Sequence, residues 1–197
     1  MNATDESAGL MQAFRDGDDS AFDALFERWA GPLMRYLERM VSDAGTAEEL
    51  VQEAFLRVHG ARQRYSADAR FSTWLYRIAT NLALNELRRP RRKARHESTF
   101  DSDGAPIDLR ADEPGVEAVV DARRAGAVLE AQLEALPERQ RMALWLAAVE
   151  GLSYAEVAEA LETTEKSVKA LVHRARSTLA ERMSPAGELR VPAEARS

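Results

Sequence analysis

Two stretches of this chain place cations at a density and spacing suited to polyanions. In the first, NELRRPRRKARHE from Asn85 to Glu97, Lys or Arg fills six of the eight positions from Arg88 to Arg95. In the second, KSVKALVHRAR from Lys166 to Arg176, cations recur every three or four residues, which gathers Lys166, Lys169, His173 and Arg176 on one face of a helix. Such groups neutralise phosphates and, on a helix, donate to base edges. A single charge run is also what a solvated helix end or a disordered arm looks like, so its neighbours must decide. Covalent chemistry finds little support. Cysteine is absent, which removes disulfides, thiolate metal sites and Cys nucleophiles together. His59, His96 and His173 are too scattered for a metal cluster, and there is no Gly-rich phosphate loop, His-carboxylate cluster or Ser nucleophile constellation. The reading is of a protein with no catalytic residue, no metal, no cofactor and no small-molecule substrate.

The 197 residues, 45% hydrophobic with a net charge of -6, suffice for one ordinary domain or two small ones. Charge is segregated: -8 over Met1 to Leu56, +9 over Arg57 to His96, -7 over Glu97 to Asp121, -3 over Ala122 to Thr163 and +3 over Thr164 to Ser197. Two surfaces should therefore attract polyanions while the rest repels them. The opening MNATDESAG has no basic start with an apolar core behind it, and no window approaches the roughly 20 apolar residues of a membrane helix. A soluble, cytoplasmic protein without membrane insertion is expected.

Positioning the cations falls to helices. The periodicity is helical throughout, with no convincing strand alternation, so the fold class is all-α. The spacing predicts a short helix near Asp5 to Arg15 ending at Gly17, and a second from Ser20 to about Met40 with a break at Gly31-Pro32. A third opens on a Thr46 and Glu49 capping box, with Leu50, Val51, Ala54, Phe55 and Val58 as its apolar stripe. A fourth opens at Ser72, buries Trp74, Leu75, Ile78, Ala79 and Leu82, and stacks Thr73, Arg77, Asn81, Asn85 and Arg88 along another face. It leads into the basic run, where Pro90 ends it or frays its last turn. Periodicity then fails in ESTFDSDGAPIDLRADEPG, an acidic stretch with Pro and Gly. The expected organisation is two small helical domains, 1–96 and 117–183, joined by a flexible acidic linker, 97–116, and followed by a tail, 184–197. The second domain has helices over 117–135 and from Pro137, at the first helical position, to about Val149.

The rest of that domain, LSYAEVAEALETTEKSVKALVHRARSTLAER, reads as a helix-turn-helix. Ser153 and Glu156 form a capping box for the first helix, and Thr164 caps the second. With Tyr154 as first position, Ala158 falls at the fifth, where the helices touch most closely, and Leu161, Val168 and Leu171 fall at core positions. Glu162 stands at the turn, where glycine is common; a left-handed backbone there costs roughly 1 kcal/mol. Val168, Leu171, Val172, Ala175 and Leu179 make the packed stripe. Lys166, Lys169, Ala170, His173 and Arg176, flanked by Ser167 and Arg174, make the face a recognition helix presents to a major groove. The plainer alternative is a solvated helix in a helical hairpin.

The chain as a whole resembles the bacterial extracytoplasmic-function (ECF) sigma factors, two-domain proteins that direct RNA polymerase to promoters. The likeness rests on AFDALFERW, AEELVQEAFLRV, FSTWLYRIATNLALNELRR, LPERQRMALWLAAVEGLSYAEVAEAL and KSVKALVHRAR, in the family's order and spacing, from about Ser20 to Arg182. It implies that the helix from Thr46 grips core RNA polymerase, with Glu49, Leu50, Gln52, Glu53 and Phe55 meeting a coiled coil of the largest subunit. The polymerase flap, promoter DNA both duplex and single-stranded, and an anti-sigma factor are the other partners implied. Independently, the acidic rim of that helix suits a protein better than DNA. Leu50 and Phe55 fit plain core packing equally well, which makes Gln52 and Glu53 the stronger interface residues.

The resemblance also assigns capture of a flipped minus-10 base to the loop Ala61 to Arg70 and the helix after it. Flipping costs a few kcal/mol, so the protein must offer an apolar pocket and a cationic track. Tyr65 and Phe71 stand beside Arg62, Arg64, Arg70 and Arg77, while Asn81, Asn85, Arg88 and Arg89 continue the stripe. Trp74 belongs instead to the apolar core. Arg91, Arg92 and Lys93 are expected along upstream duplex phosphates, where they add affinity and register rather than sequence choice. The minus-35 element falls to the second helix of the helix-turn-helix. Relatives often carry a basic residue where Thr80 and Leu171 stand, and an acid at Asn85, so a promoter sequence does not transfer. Two other functions compete. A dimeric operator-binding regulator leaves Tyr65 to Asn85 without a role and needs a heptad-like dimer helix that is not seen. A nucleic-acid enzyme lacks the constellations named above.

Overall fold

The computed structural model describes residues 3–65, 70–89, 126 and 128–183. The linker, the tail and the basic run from Pro90, with Arg91, Arg92 and Lys93, lie outside the described residues. Among the described residues all regular structure is helical: α1 Ala3–Arg15, α2 Asp19–Val41, α3 Ala44–Gly60, a 3₁₀ turn Arg62–Arg64, α4 Phe71–Leu87, α5 over 128–134, α6 Glu138–Ala148, α7 Tyr154–Ala160 and α8 Glu165–Met183.

The helix starts shift slightly from the sequence reading. Asp18 rather than Ser20 caps α2, its carboxylate accepting from the Ser20 N–H at 3.0 Å and the Ser20 hydroxyl at 2.6 Å. Asp43 rather than Thr46 caps α3, accepting from the Thr46 N–H at 3.2 Å. In both cases an acid just upstream reaches the free amides first, and its charge suits the helix N-terminus. Pro137 sits one residue ahead of α6, its carbonyl accepting from Gln140 and Arg141 at 2.8 and 3.0 Å. The break expected at Gly31-Pro32 does not occur; α2 runs through it. An interior proline costs about 3 kcal/mol of helix stability, and burial of Leu25, Leu33, Tyr36, Leu37 and Met40 on both sides of it outweighs that cost.

Helices α1 to α4 pack around one part of the core and α6 to α8 around another. The two halves meet where α4 lies against α7 and α2 against α6, and their buried residues form one contiguous cluster. This changes the reading of α4. The stripe taken as a second face is graded: Thr73 is fully buried, Arg77 and Asn81 are half-buried, and Asn85 and Arg88 are exposed. Tyr76 and Thr80 are also buried. Tyr36 bonds Thr80 hydroxyl to hydroxyl at 2.7 Å, and the Tyr76 hydroxyl donates to the Glu150 carboxylate from the other half. Burial holds both phenols well above the usual tyrosine range.

At the junction the buried Arg141 donates to the Met40 carbonyl at 2.8 Å and to the Glu134 carbonyl at 2.9 Å. The first of these lies at the C-terminal end of α2, where a cation is favoured. Burial pulls the guanidinium below the usual arginine range, and nearby Glu134 and Glu138 oppose that shift. Gly151, left-handed at φ 69°, turns the chain between α6 and α7 beside Glu150, whose carboxylate also accepts from the Trp145 indole at 2.9 Å.

Candidate nucleic-acid and protein interfaces

The helix-turn-helix is built from caps and a tight reversal. Ser153 accepts from the Glu156 N–H at 3.3 Å while Glu156 accepts from the Ser153 N–H at 2.8 Å, the reciprocal box read from the sequence. Leu161 closes α7, and Glu162 is left-handed at φ 49°. The Thr163 N–H reaches the Ala158 carbonyl at 2.9 Å and the Glu162 N–H the Glu159 carbonyl at 3.2 Å, the two bonds of a Schellman turn. They pin the left-handed residue, and Arg139 adds a 2.6 Å bond to the Leu161 carbonyl. Thr164 then caps α8 by accepting from the Ser167 N–H at 3.2 Å.

This reversal fixes which side of α8 faces out. Val168, Val172 and Ala175 are buried, with Leu171 and Leu179 half-buried. Lys166, Lys169, Ala170, His173, Arg174 and Arg176 are all exposed, and Ser167 is half-buried in its cap. Among the described residues none of these cations joins an ion pair, unlike Arg57, Arg70 and Arg89 elsewhere. Lys169, His173 and Arg176 line a shallow groove of about 400 Å³, and Tyr154 is part of the same lining. Tyr154, at the start of α7, is a candidate contact that the sequence reading missed; it was visible only as the first position of the motif.

On α4 and the turn before it, the proposed minus-10 residues divide. Tyr65 is 5% exposed and Phe71 fully buried. Their rings lie 6.3 Å apart within a cluster that includes Trp74, 5.2 Å from Tyr65, and Trp29, 6.0 Å from Phe71. Burial raises the Tyr65 phenol, and its hydroxyl, among the described residues, has no partner. Arg70 pairs with Glu156 at 3.2 Å, Asn81 donates to Glu162 at 3.2 Å, and Arg89 pairs with Glu86 at 3.1 Å, while Asn85 and Arg88 point to solvent. Partial burial works against the Glu156 carboxylate, yet hydrogen bonds from Ser153 and the charge of Arg70 hold it below the usual range.

On α3, Leu50 and Phe55 are buried, the packing alternative, whereas Glu49 and Gln52 are exposed and Glu53 is half-buried and paired with Arg57 at 2.8 Å. Glu49, Gln52, Glu53 and Leu56 follow the i, i+3, i+4, i+7 rule, so they share one face. Leu56 is 67% exposed at its end. Phe26 of α2, 42% exposed, packs its ring 4.8 Å from that of Phe55, tilted by 59°. The sequence reading missed Leu56 and Phe26. Leu56 carried a signal, being a large apolar residue out of phase with the buried stripe of its own helix.

Against known proteins, residues 25–93 match the Sigma-70 region 2 family and residues 127–179 the Sigma-70 region 4 family. The chain is 31% identical over 197 residues to the RNA polymerase sigma-H factor of Pseudomonas aeruginosa, covering 94% of this chain and 97% of the relative. It is 31% identical over 183 residues to the ECF RNA polymerase sigma-E factor of Escherichia coli K12, covering 89% and 93%. The chain belongs to the ECF sigma factors. As such it is an RNA polymerase sigma factor that functions in transcription initiation. The fold agrees: the Bartonella quintana sigma factor RpoE, crystallised with the anti-sigma factor NepR, superposes with a TM-score of 0.61 at 20% identity, covering 81% of this sigma factor and 94% of RpoE. No described helix is long and apolar enough to cross a membrane.

Proposed function

We propose that this sigma factor divides promoter recognition between two domains, 1–96 and 117–183, joined by the linker 97–116. The exposed face of α8, from Lys166 to Arg176, reads the minus-35 element in the major groove. The segment from Tyr65 to Asn85, with Arg88 and Arg89, captures the minus-10 strand. Arg91, Arg92 and Lys93 follow upstream phosphates. Core polymerase docks on the α3 face of Glu49, Gln52, Glu53 and Leu56, with Phe26 beside it and Leu50 and Phe55 supporting it from below. An anti-sigma factor, of the kind crystallised with RpoE, is a further partner. The protein works in the cytoplasm as a binding subunit and performs no catalysis itself.

The observation that carries this reading is the α8 face: exposed cations, unpaired among the described residues, back to back with a buried stripe and oriented by a Schellman turn. Lys169→Ala tests it. A base contact is worth about 1–3 kcal/mol of discrimination, whereas a phosphate contact weakens all sequences alike and lowers the salt slope by about one. Holoenzyme carrying Lys169→Ala should therefore lose about 5- to 150-fold in affinity for a cognate promoter. The salt series shows whether the loss is base readout or phosphate contact, and unchanged promoter affinity would remove α8 from the DNA.

A further inference from the structure

We infer that Ala170 reads the methyl group of a thymine, so that this sigma factor selects a T·A pair at one fixed position of the minus-35 element. The inference rests on the minus-35 reading of α8 given above and adds to it the identity of one base. Val168 and Val172, two positions to either side of Ala170, are both buried. Two positions amount to about 200° of helix turn, so Ala170 looks straight away from the core. Between Glu165 and Arg176 it is, among the described residues, the one exposed position without a polar side chain. Its neighbours on the helix surface are long donors: Lys166 at i-4, His173 at i+3 and Arg174 at i+4. The remaining neighbour, Ser167 at i-3, is half-buried, bonds the Thr164 hydroxyl at 2.9 Å and donates its N–H to the same oxygen at 3.2 Å. Ser167 therefore belongs to the cap, and the centre of the face is left to Ala170.

A helix about 10–12 Å across fills a major groove about 12 Å wide, so the residue at the centre of its DNA-facing side meets the floor of the groove. A long cation at that point would hold the helix off, whereas a single methyl lets it settle. The donors around Ala170 then reach purine acceptors and phosphates on either side. Ala170 itself offers neither donor nor acceptor. Of the groups that base pairs display in the major groove, the C5-methyl of thymine is the apolar one, and its contact with the alanine methyl excludes water from both. A polar base edge in the same place would lose its water against Ala170 without gaining a hydrogen bond. The choice of thymine thus comes from attraction to one base and a penalty on the others.

Selection by holoenzyme from a cognate promoter randomised across its minus-35 element tests the inference. Wild type should enrich thymine at one position, and replacing that thymine by uracil, which lacks only the methyl, should weaken binding about fourfold, the effect of one buried methyl. Ala170→Gly should bind the thymine and uracil promoters alike while keeping the enrichment at flanking positions, which a merely weakened helix would not do. Ala170→Gln guards against the cost of glycine in a helix. Glutamine is a good helix former whose amide pairs with N6 and N7 of adenine, so the enriched base at that position should change from thymine to adenine. No thymine-to-uracil difference in wild type would overturn the inference. A difference that survives in Ala170→Gly, or thymine retained by Ala170→Gln, would overturn it as well, because the methyl would then be felt by another residue or through DNA shape. Two failures remain distinct. If wild-type holoenzyme enriches no sequence, α8 reads no bases and the minus-35 reading falls together with this inference; an enrichment that Lys169→Ala weakens but that ignores the methyl overturns the inference alone.

Discussion

Replacing Phe71 by Ala is expected to cost about 3–5 kcal/mol of stability, enough to unfold a large share of a marginally stable chain. The ring is fully buried at the first position of α4, against Trp29, Trp74 and Tyr65. Its loss leaves a cavity that four packed helices cannot close. Tyr65→Phe makes the contrast. It removes a buried hydroxyl that has no partner among the described residues, so stability should stay level or rise by about 1 kcal/mol. Urea titrations of both variants measure the difference. A mild effect at Phe71 would mean that the aromatic cluster is looser than its ring spacings indicate, and a loss at Tyr65 would reveal a hydroxyl partner.

The second large effect concerns polymerase. Leu56→Asp with Phe26→Ala should weaken binding to core RNA polymerase by at least about 2 kcal/mol, roughly 30-fold in Kd, while leaving helix content unchanged. The reasoning is one of surplus. Large apolar side chains at 67% and 42% exposure contribute little to the fold, yet they sit beside the acidic residues Glu49 and Glu53 on one continuous face. An apolar centre with a charged rim is the usual anatomy of a protein interface. Gln52→Lys with Glu53→Lys should weaken the same complex through the rim, and chiefly through the association rate. Titration of labelled core polymerase gives both numbers. Wild-type affinity in the Leu56 and Phe26 variant would move the interface off α3.

The sequence made the local structure legible. The stripe of α3, the Ser153 and Glu156 box, the register of the helix-turn-helix and the left-handed Glu162 all follow from spacing, because each depends on contacts within a turn or two. Contacts far apart in the chain were not legible. Thr73 and Thr80 are small and polar, and a hydrophobic period assigns them to the surface, yet they are buried. Small side chains also permit the close helix approach that no local pattern reports. The same limit hid the pairing of Asn81 with Glu162 and of Arg70 with Glu156. Pro32 failed as a helix stop because tertiary burial on both sides of it exceeds its local cost. Around the start of α4, type and spacing singled out Tyr65 and Phe71 for a strand, yet both are buried, since an aromatic beside arginines reads alike whether it is packed or presented.

Permanganate footprinting of holoenzyme carrying Asn81→Ala tests the central claim that α4 captures the melted minus-10 strand. Two templates are compared: a duplex promoter, and the same promoter already mismatched across the minus-10 segment. Capture of a flipped base must supply the unpairing cost of a few kcal/mol on the duplex and none of it on the mismatched template. The account predicts that thymine reactivity collapses on the duplex and stays near wild type on the mismatched template. Equal losses on both templates would contradict it and reduce Asn81 to an ordinary phosphate or packing contact.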